Sequence, residues 1–249
     1  MSCFPTKGKF DFFSSCGTIP MQQEALWSRY PHLWHMAEPG SWPSICDHGL
    51  LSTDALLTRY GVSPKLRAEI ETQRRPKGVT LRSEGMPEAV IRDQKPMSDD
   101  ALRKCLEPGL SPADWYRILN ERTFFWVSRV RLRKLLGARA YRSRPQTILT
   151  LATRSLVEAE AERIELCPIN SGSTIFNPAP RGRRTFLPIE EYDFEGWRRK
   201  RGGVDAVVEL VVRGGVPDVR DHVLAVHDWA DGVAIEVWRR PGTDPAVGP

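Results

Sequence analysis

Val207-Val208-Glu209-Leu210-Val211-Val212-Arg213-Gly214-Gly215-Val216-Pro217 sets one carboxylate inside an otherwise apolar, β-branched run. The run reads as a short buried strand closed by a Gly-Gly-Val-Pro turn. Burying an ionised carboxylate in such a strand is costly unless it is paired or hydrogen-bonded, so Glu209 needs a reason to be there. Period-two alternation that turns Glu209 to solvent is the other reading of the same residues.

Two further segments bear on that choice. In Leu33-Trp34-His35-Met36-Ala37-Glu38-Pro39-Gly40-Ser41-Trp42-Pro43, continuing through Ile45 to Gly49-Leu50-Leu51, the pattern predicts a strand carrying His35 and a turn at Glu38-Pro39-Gly40. A helix then starts at Ser41, with Pro43 in its first turn and Gly49 as its stop. In Arg122-Thr123-Phe124-Phe125-Trp126-Val127-Ser128-Arg129 an aromatic strand breaks into a basic helix carrying Arg131, Arg133 and Lys134. Read alone, His35 fits a core histidine and Arg129 fits a solvated basic face.

Taken in order, these landmarks resemble the DarT-type ADP-ribosyltransferases, which use NAD to modify DNA bases. They are a strand His, a Pro-containing helix ending Gly-Leu-Leu, an aromatic strand running into Ser-Arg, and a late Val-Glu-Leu-Val strand with Val-Pro beyond. Ser41 stands where that family commonly carries Asn, and a long insert separates the first two landmarks. The resemblance implies an α+β fold of split antiparallel β-sheets surrounded by helices. Its catalytic residues map onto Glu209 and Arg129, and its cofactor contacts onto His35, Ala37, Ser41, Phe125 and Ser128. It implies NAD as co-substrate with no metal, and a toxin or phage-defence role with an antitoxin or ADP-ribose hydrolase as partner. The residue types suit this chemistry. A carboxylate stabilises positive charge developing on a ribose, and a guanidinium offers a planar fork of donors to paired phosphate oxygens.

The chain of 249 residues can bury a sizeable core. Its 36 Lys and Arg against 31 Asp and Glu give a formal net charge of +5, which favours an anionic partner. Basic residues gather in residues 129–144, at Arg181, Arg183 and Arg184, and at Trp197, Arg198 and Arg199 running on to Arg201. Aromatics among bases suit single-stranded nucleic acid, DNA being favoured, and Arg181, Arg183, Arg184, Trp197, Arg198 and Arg199 are the expected substrate contacts. A basic surface serving only solubility is the alternative for each cluster. An acceptor that is a protein or small molecule, or a non-catalytic nucleic-acid-binding protein, are the rival functions.

The five cysteines, at 3, 16, 46, 105 and 167, are scattered and show no metal spacing. With no apolar span of membrane length and no secretory pattern, the expectation is a cytoplasmic protein away from the membrane. No GxGxxG, P-loop or GxSxG pattern is present, which argues against a Rossmann domain, an NTPase and an α/β-hydrolase. The organisation expected is an irregular leader over residues 1–20, one domain over 21–239 with a helical insert at about 61–121, and a disordered tail over 240–249. Asn170-Ser171-Gly172-Ser173-Thr174 reads as a turn, with a phosphate cradle as the alternative. Residues 189–203 are expected to form a loop that helps choose the acceptor.

Overall fold

The aromatic and β-branched runs pair into one antiparallel sheet. The computed structural model describes residues 21–203 and 205–249, so the expected leader, with Cys3 and Cys16, lies outside the described residues. In chain order the first elements are α1 (Met21–Arg29), β1 (His32–Ala37), α2 (Trp42–His48), β2 (Leu50–Leu51), α3 (Thr53–Arg59) and α4 (Pro64–Thr72). Then come β3 (Val79–Leu81), β4 (Ala89–Ile91), α5 (Asp99–Cys105), α6 (Pro112–Asn120), β5 (Arg122–Trp126), α7 (Arg129–Leu136), β6 (Gln146–Ala152) and α8 (Thr153–Glu160). The chain closes with β7 (Ile164–Cys167), β8 (Leu187–Pro188), α9 (Phe194–Lys200), β9 (Glu209–Arg213), β10 (Gly215–Val216), β11 (Val223–Ala230) and β12 (Val233–Arg239).

Among the described residues the large sheet has eight strands in the order β12-β11-β6-β1-β5-β9-β7-β8. The fold is α+β, with antiparallel strands flanked by helices. The ladder narrows at its centre. β1 and β6 run together from His32 opposite Ala152 to Ala37 opposite Thr147, whereas β1 meets β5 only where Trp34 faces Trp126. Beside that point His35 Nδ1 donates to the Phe124 carbonyl at 2.8 Å, so a side chain supplies a bond where the backbone ladder stops.

Each face of the sheet is packed. Leu33, Phe125, Leu149, Leu151, Leu210 and Val212 point to one side and meet Leu26 of α1 and Leu156 and Val157 of α8. On the opposite side Trp34 and Ile148 pack with Leu132 and Leu136 of α7, and Val211 and Cys167 pack with Trp115, Tyr116 and Phe186. These are the alternate positions of the same strands, as a two-period pleat requires.

Two motifs distant in sequence meet in the small β2-β10 pair, with Leu50 facing Val216 and Leu51 facing Gly215. Glycine is required on both sides of this contact. A Cβ on Gly215, at φ +101°, would lie 2.5 Å from the Leu50 carbonyl oxygen, and one on Gly49, at φ +86°, 2.6 Å from that of Pro217.

The insert folds as α4, the β3-β4 hairpin, α5 and α6. Ile70, Leu81 and Ile91 join Leu57 and Tyr60 in a small core of their own. The buried Arg75 guanidinium binds it to α6, donating to the Ile70 carbonyl at 2.7 Å and to Asn120 Oδ1 at 3.0 Å. Ser111 and Asp114 close a capping box at the start of α6.

Two expectations are corrected. Residues 240–249 are not disordered. The Trp34 indole Nε1 donates to the Gly248 carbonyl at 3.0 Å, Arg129 Nη2 to Ala246 O at 2.9 Å, and Arg133 Nη2 to Pro249 O at 3.1 Å. Val247 is buried, and the Gly248 backbone lies against the His227 ring. The tail's carbonyls satisfy donors that strand and helix leave open, which composition alone does not reveal. Residues 189–203 are likewise not all loop. Asp193 accepts from the Gly196 N–H at 2.8 Å and caps α9 over Phe194–Lys200.

Candidate functional site

Glu209 is the first residue of β9 rather than its middle, because Val207 and Val208 precede the ladder. Its side chain is 4% exposed, which excludes the solvent-facing reading. Across the sheet Trp126 stands opposite it on β5 and Cys167 opposite it on β7. Directly opposed residues in an antiparallel ladder point to the same face. Trp34, Trp126, Glu209 and Cys167 therefore form one row across the seam.

The loop after β7 holds the carboxylate. The Ser171 hydroxyl donates to Glu209 Oε2 at 2.7 Å and the Ser171 N–H to the same oxygen at 3.2 Å. Ser171 is held in turn by Arg181, whose Nη1 donates to the Ser171 carbonyl at 3.0 Å while Nε reaches Ala179 O at 3.1 Å. The Arg181 guanidinium lies 5.7 Å from the centroid of the Trp115 ring. Burial pushes the Glu209 carboxyl up to about 7, against the opposing pull of the Ser171 donors, the Cys167 thiol and the Arg181 charge. The same burial, with the Glu209 charge, drives the Cys167 thiol well up. A carboxyl poised near neutrality can take up or release a proton without a large driving force.

Beside the start of β9 a cleft of about 480 Å³ opens, lined by Arg131, Asn170, Ala179, Arg201, Asp205 and Val208. Arg131 Nε and Nη2 both donate to Asp205 Oδ2, at 3.2 and 3.0 Å. Arg201 lies 5.6 Å over the Trp197 ring, and burial and the Arg131 charge both hold its guanidinium below the usual range.

The expected site residues divide. Arg129 begins α7 with its guanidinium 6.0 Å over the Trp34 ring, on the face that carries Glu209. Ser128 caps that helix position without a side-chain cap bond. His35 is on the opposite face, one residue along from Trp34, with its ring 5.7 Å from that of Phe125. Burial drives its protonation down to about 4, so it is neutral at physiological pH. The structure thus brings Arg129 and Glu209 to one side of the sheet and leaves His35 on the other. Phe125 and Ala37 are core residues, 1% and 4% exposed. The Ser41 hydroxyl precedes α2, buried and with no hydrogen bond among the described residues.

The basic surface divides too. Arg181, expected among surface cations, is buried and structural, because its donors are consumed by the loop carbonyls. Arg183 and Arg184 are exposed, Arg184 pairing with Glu191 at 3.3 Å. Arg198 and Arg199 are exposed on α9, and Trp197 packs against the main core under Lys200 and Arg201.

Ser171, Cys167, Asn170, Arg131, Arg201 and Asp205 were not singled out from sequence as site residues. The signal for Ser171 was a polar loop directly after a buried strand, but which carboxylate it would meet depends on β7 lying beside β9. Among the described residues no three His, Cys, Asp or Glu side chains converge as a metal site would need, and no helix is long and apolar enough to cross a membrane.

No curated protein matches this chain, and no solved structure does. Residues 31–223, which run from β1 to the start of β11 and carry Glu209, Ser171, Arg129 and the cleft, match the model of a family of unknown function (DUF7002), and the chain belongs to that family.

Proposed function

We propose that the protein is an NAD-dependent ADP-ribosyltransferase that modifies a nucleic-acid base, DNA in preference to RNA. The observation that carries this reading is Glu209, a buried carboxyl raised to about 7, fixed by two donors from Ser171 and next in sequence to Val208, which lines a cationic cleft. Perturbed carboxyls in such settings cluster at functional sites. The resemblance of the three sequence landmarks to DNA-modifying transferases supports the choice of co-substrate and acceptor.

The residues present fit NAD on the Glu209 face. Trp126 is the half-buried aromatic of that row, and Arg129, over the buried Trp34 ring, offers a guanidinium suited to a pyrophosphate. Arg129 is engaged by the Ala246 carbonyl, so a ligand there would displace that bond. When bound, NAD supplies an activated glycosidic bond whose cleavage develops positive charge on the ribose. Glu209 would ionise as positive charge approaches, stabilise that charge, and accept the proton of the incoming base nitrogen or oxygen. Ser171 would hold the carboxylate on course, and Arg181 would hold Ser171. His35, on the far face, would secure the seam between β1 and β5 and make no contact with the co-substrate.

The test is incubation with radiolabelled NAD and separate pools of single-stranded DNA, duplex DNA, RNA and protein, beside the Glu209→Gln and Arg129→Ala variants. Label in a nucleic-acid pool that disappears with Glu209→Gln is the expected result. Label only in protein would move the acceptor to a polypeptide. An absence of both label and released nicotinamide would overturn the enzymatic reading.

A further inference from the structure

The cleft beside Glu209 has an unbalanced charge. Arg131 and Arg201 line it with one carboxylate, Asp205, which pairs with Arg131, and both donors that Arg131 directs at it go to a single oxygen. Among the described residues the Arg201 guanidinium makes no hydrogen bond; it lies over the Trp197 ring within the field of the Asp205 charge. A guanidinium at a cleft wall with unused donors and a like-charged neighbour attracts an anion, and phosphate matches its planar fork.

A second observation lies on the loop that lines the same cleft through Asn170 and Ala179. Phe176, at the loop's tip, is 95% exposed, with Ile175 beside it at 53%. Phe176 and Asn177 both take positive φ, at +54° and +52°, although neither is glycine. Consecutive residues held in the left-handed region are strained, and such strain persists where the surrounding structure imposes it. The consequence is an aromatic ring held in water on the loop whose base fastens Glu209.

We propose that this cleft and loop seat the acceptor strand, with a backbone phosphate of single-stranded nucleic acid on Arg131 and Arg201 and a base further along the strand stacked on Phe176, whose neighbours Asn177 and Pro178 line a second cleft with Ser98 and Lys104 of the α5 region. The proposal rests on the transferase reading for the role of Glu209, but the strand site itself is a matter of binding. Stacking on an exposed ring is sequence-tolerant, and cations beside it follow the phosphates. Arg183, Arg198 and Arg199 are exposed and do not line the cleft, so any long-range attraction they add is separate from local seating, and Arg198 is partly offset by Glu195 at 3.7 Å.

The experiment is fluorescence anisotropy of a short labelled single-stranded DNA without NAD, on the full chain and on Arg201→Ala, Phe176→Ala and Arg198→Ala. Thermal melting confirms that each variant folds. Arg201→Ala is expected to weaken binding about tenfold and to lower the salt slope by about one, and Phe176→Ala to weaken it about tenfold with the slope unchanged. Arg198→Ala is expected to change affinity less than about threefold. Binding by Arg201→Ala and Phe176→Ala equal to the parent overturns the proposal. So does a result in which Arg201→Ala loses affinity for ADP-ribose while holding DNA normally, because the cleft would then be a seat for a free nucleotide pyrophosphate. Strand binding that follows the expected pattern without any nicotinamide release would sink the transferase reading and leave this site standing.

Discussion

The Ser171 hydroxyl lies 2.7 Å from Oε2 of Glu209, across 38 residues of chain, and it is the shortest of the two bonds that a single residue makes to that oxygen. Ser171→Ala removes it while leaving the backbone donor in place. The expected loss is about 1–2 kcal/mol at pH 8, where the carboxyl is ionised, and less at pH 5, where it is protonated. Denaturant melts at the two pH values check this. An equal loss at both would mean that Ser171 packs the loop without stabilising the charge.

Glu209→Gln is expected to stabilise the protein at high pH. The carboxyl sits at about 7 in the fold against an ordinary 4.5, so the folded state binds the extra proton between those values. Stability of the parent therefore falls as pH rises from 4.5 to 7, and above 7 the full cost is present, at most about 3 kcal/mol. Gln abolishes that slope. Melts of parent and variant should coincide near pH 4.5 and separate by pH 8, with the variant the more stable.

His35 works in the opposite direction. Its folded value is about 4 against 6.5, so the unfolded state binds the extra proton and stability falls as pH drops from 6.5 to 4. It is only partly buried by area, so its share is the smaller. His35→Asn should flatten the acid limb of the stability profile and leave the limb above pH 6.5 unchanged. If the acid limb kept its slope, the imidazole would not be the group that titrates there.

Much of this was legible in the sequence, for identifiable reasons. Pro64 after Ser63, Pro112 after Ser111, and the Thr-apolar alternation of β6 each state their element locally, and the helices and strands fall where those signals put them. The carboxylate inside a Val-rich run marked Glu209 as a residue needing partners. What the sequence withheld is relational. Whether His35 and Glu209 share a face depends on a register in which Trp34, not His35, aligns with Trp126 and Glu209. That Arg181 turns inward depends on the carbonyls of Ser171 and Ala179 awaiting donors. The order of the tail depends on Trp34, Arg129 and Arg133 presenting donors from two separate elements.

Adjacent glycines make a controlled comparison. Gly215→Ala would put a methyl 2.5 Å from the Leu50 carbonyl oxygen at φ +101°, whereas Gly214→Ala, at φ +74°, would meet nothing nearer than Arg163 Nη1 at 3.6 Å. The first substitution should cost on the order of 2–4 kcal/mol and the second about 1–2 kcal/mol. Urea denaturation of the two variants measures the difference, and similar costs would show that the β2-β10 contact relaxes easily.

Trp34→Phe keeps an aromatic ring but deletes the donor to Gly248 and part of a buried indole's volume. A stability loss of about 1–3 kcal/mol is expected, together with faster tryptic cleavage after Arg239, since Pro241 protects the bond after Arg240. Unchanged cleavage would show that Arg129, Arg133 and Arg239 hold the segment without the Trp34 bond.

The docking of residues 244–249 also orders events in time. Its partners are Arg239 of β12, a side chain from β1, two from α7 and a ring from β11, so its first residues are held locally and Ala246 to Pro249 find their seat only where β1, α7 and β11 have come together. Closure of the Trp34 to Gly248 contact spans 214 residues, the kind of long-range pairing that is slow because chain entropy is lost before the contact forms. Protection of this last stretch from exchange or cleavage is therefore expected to report that β1, α7 and β11 have joined.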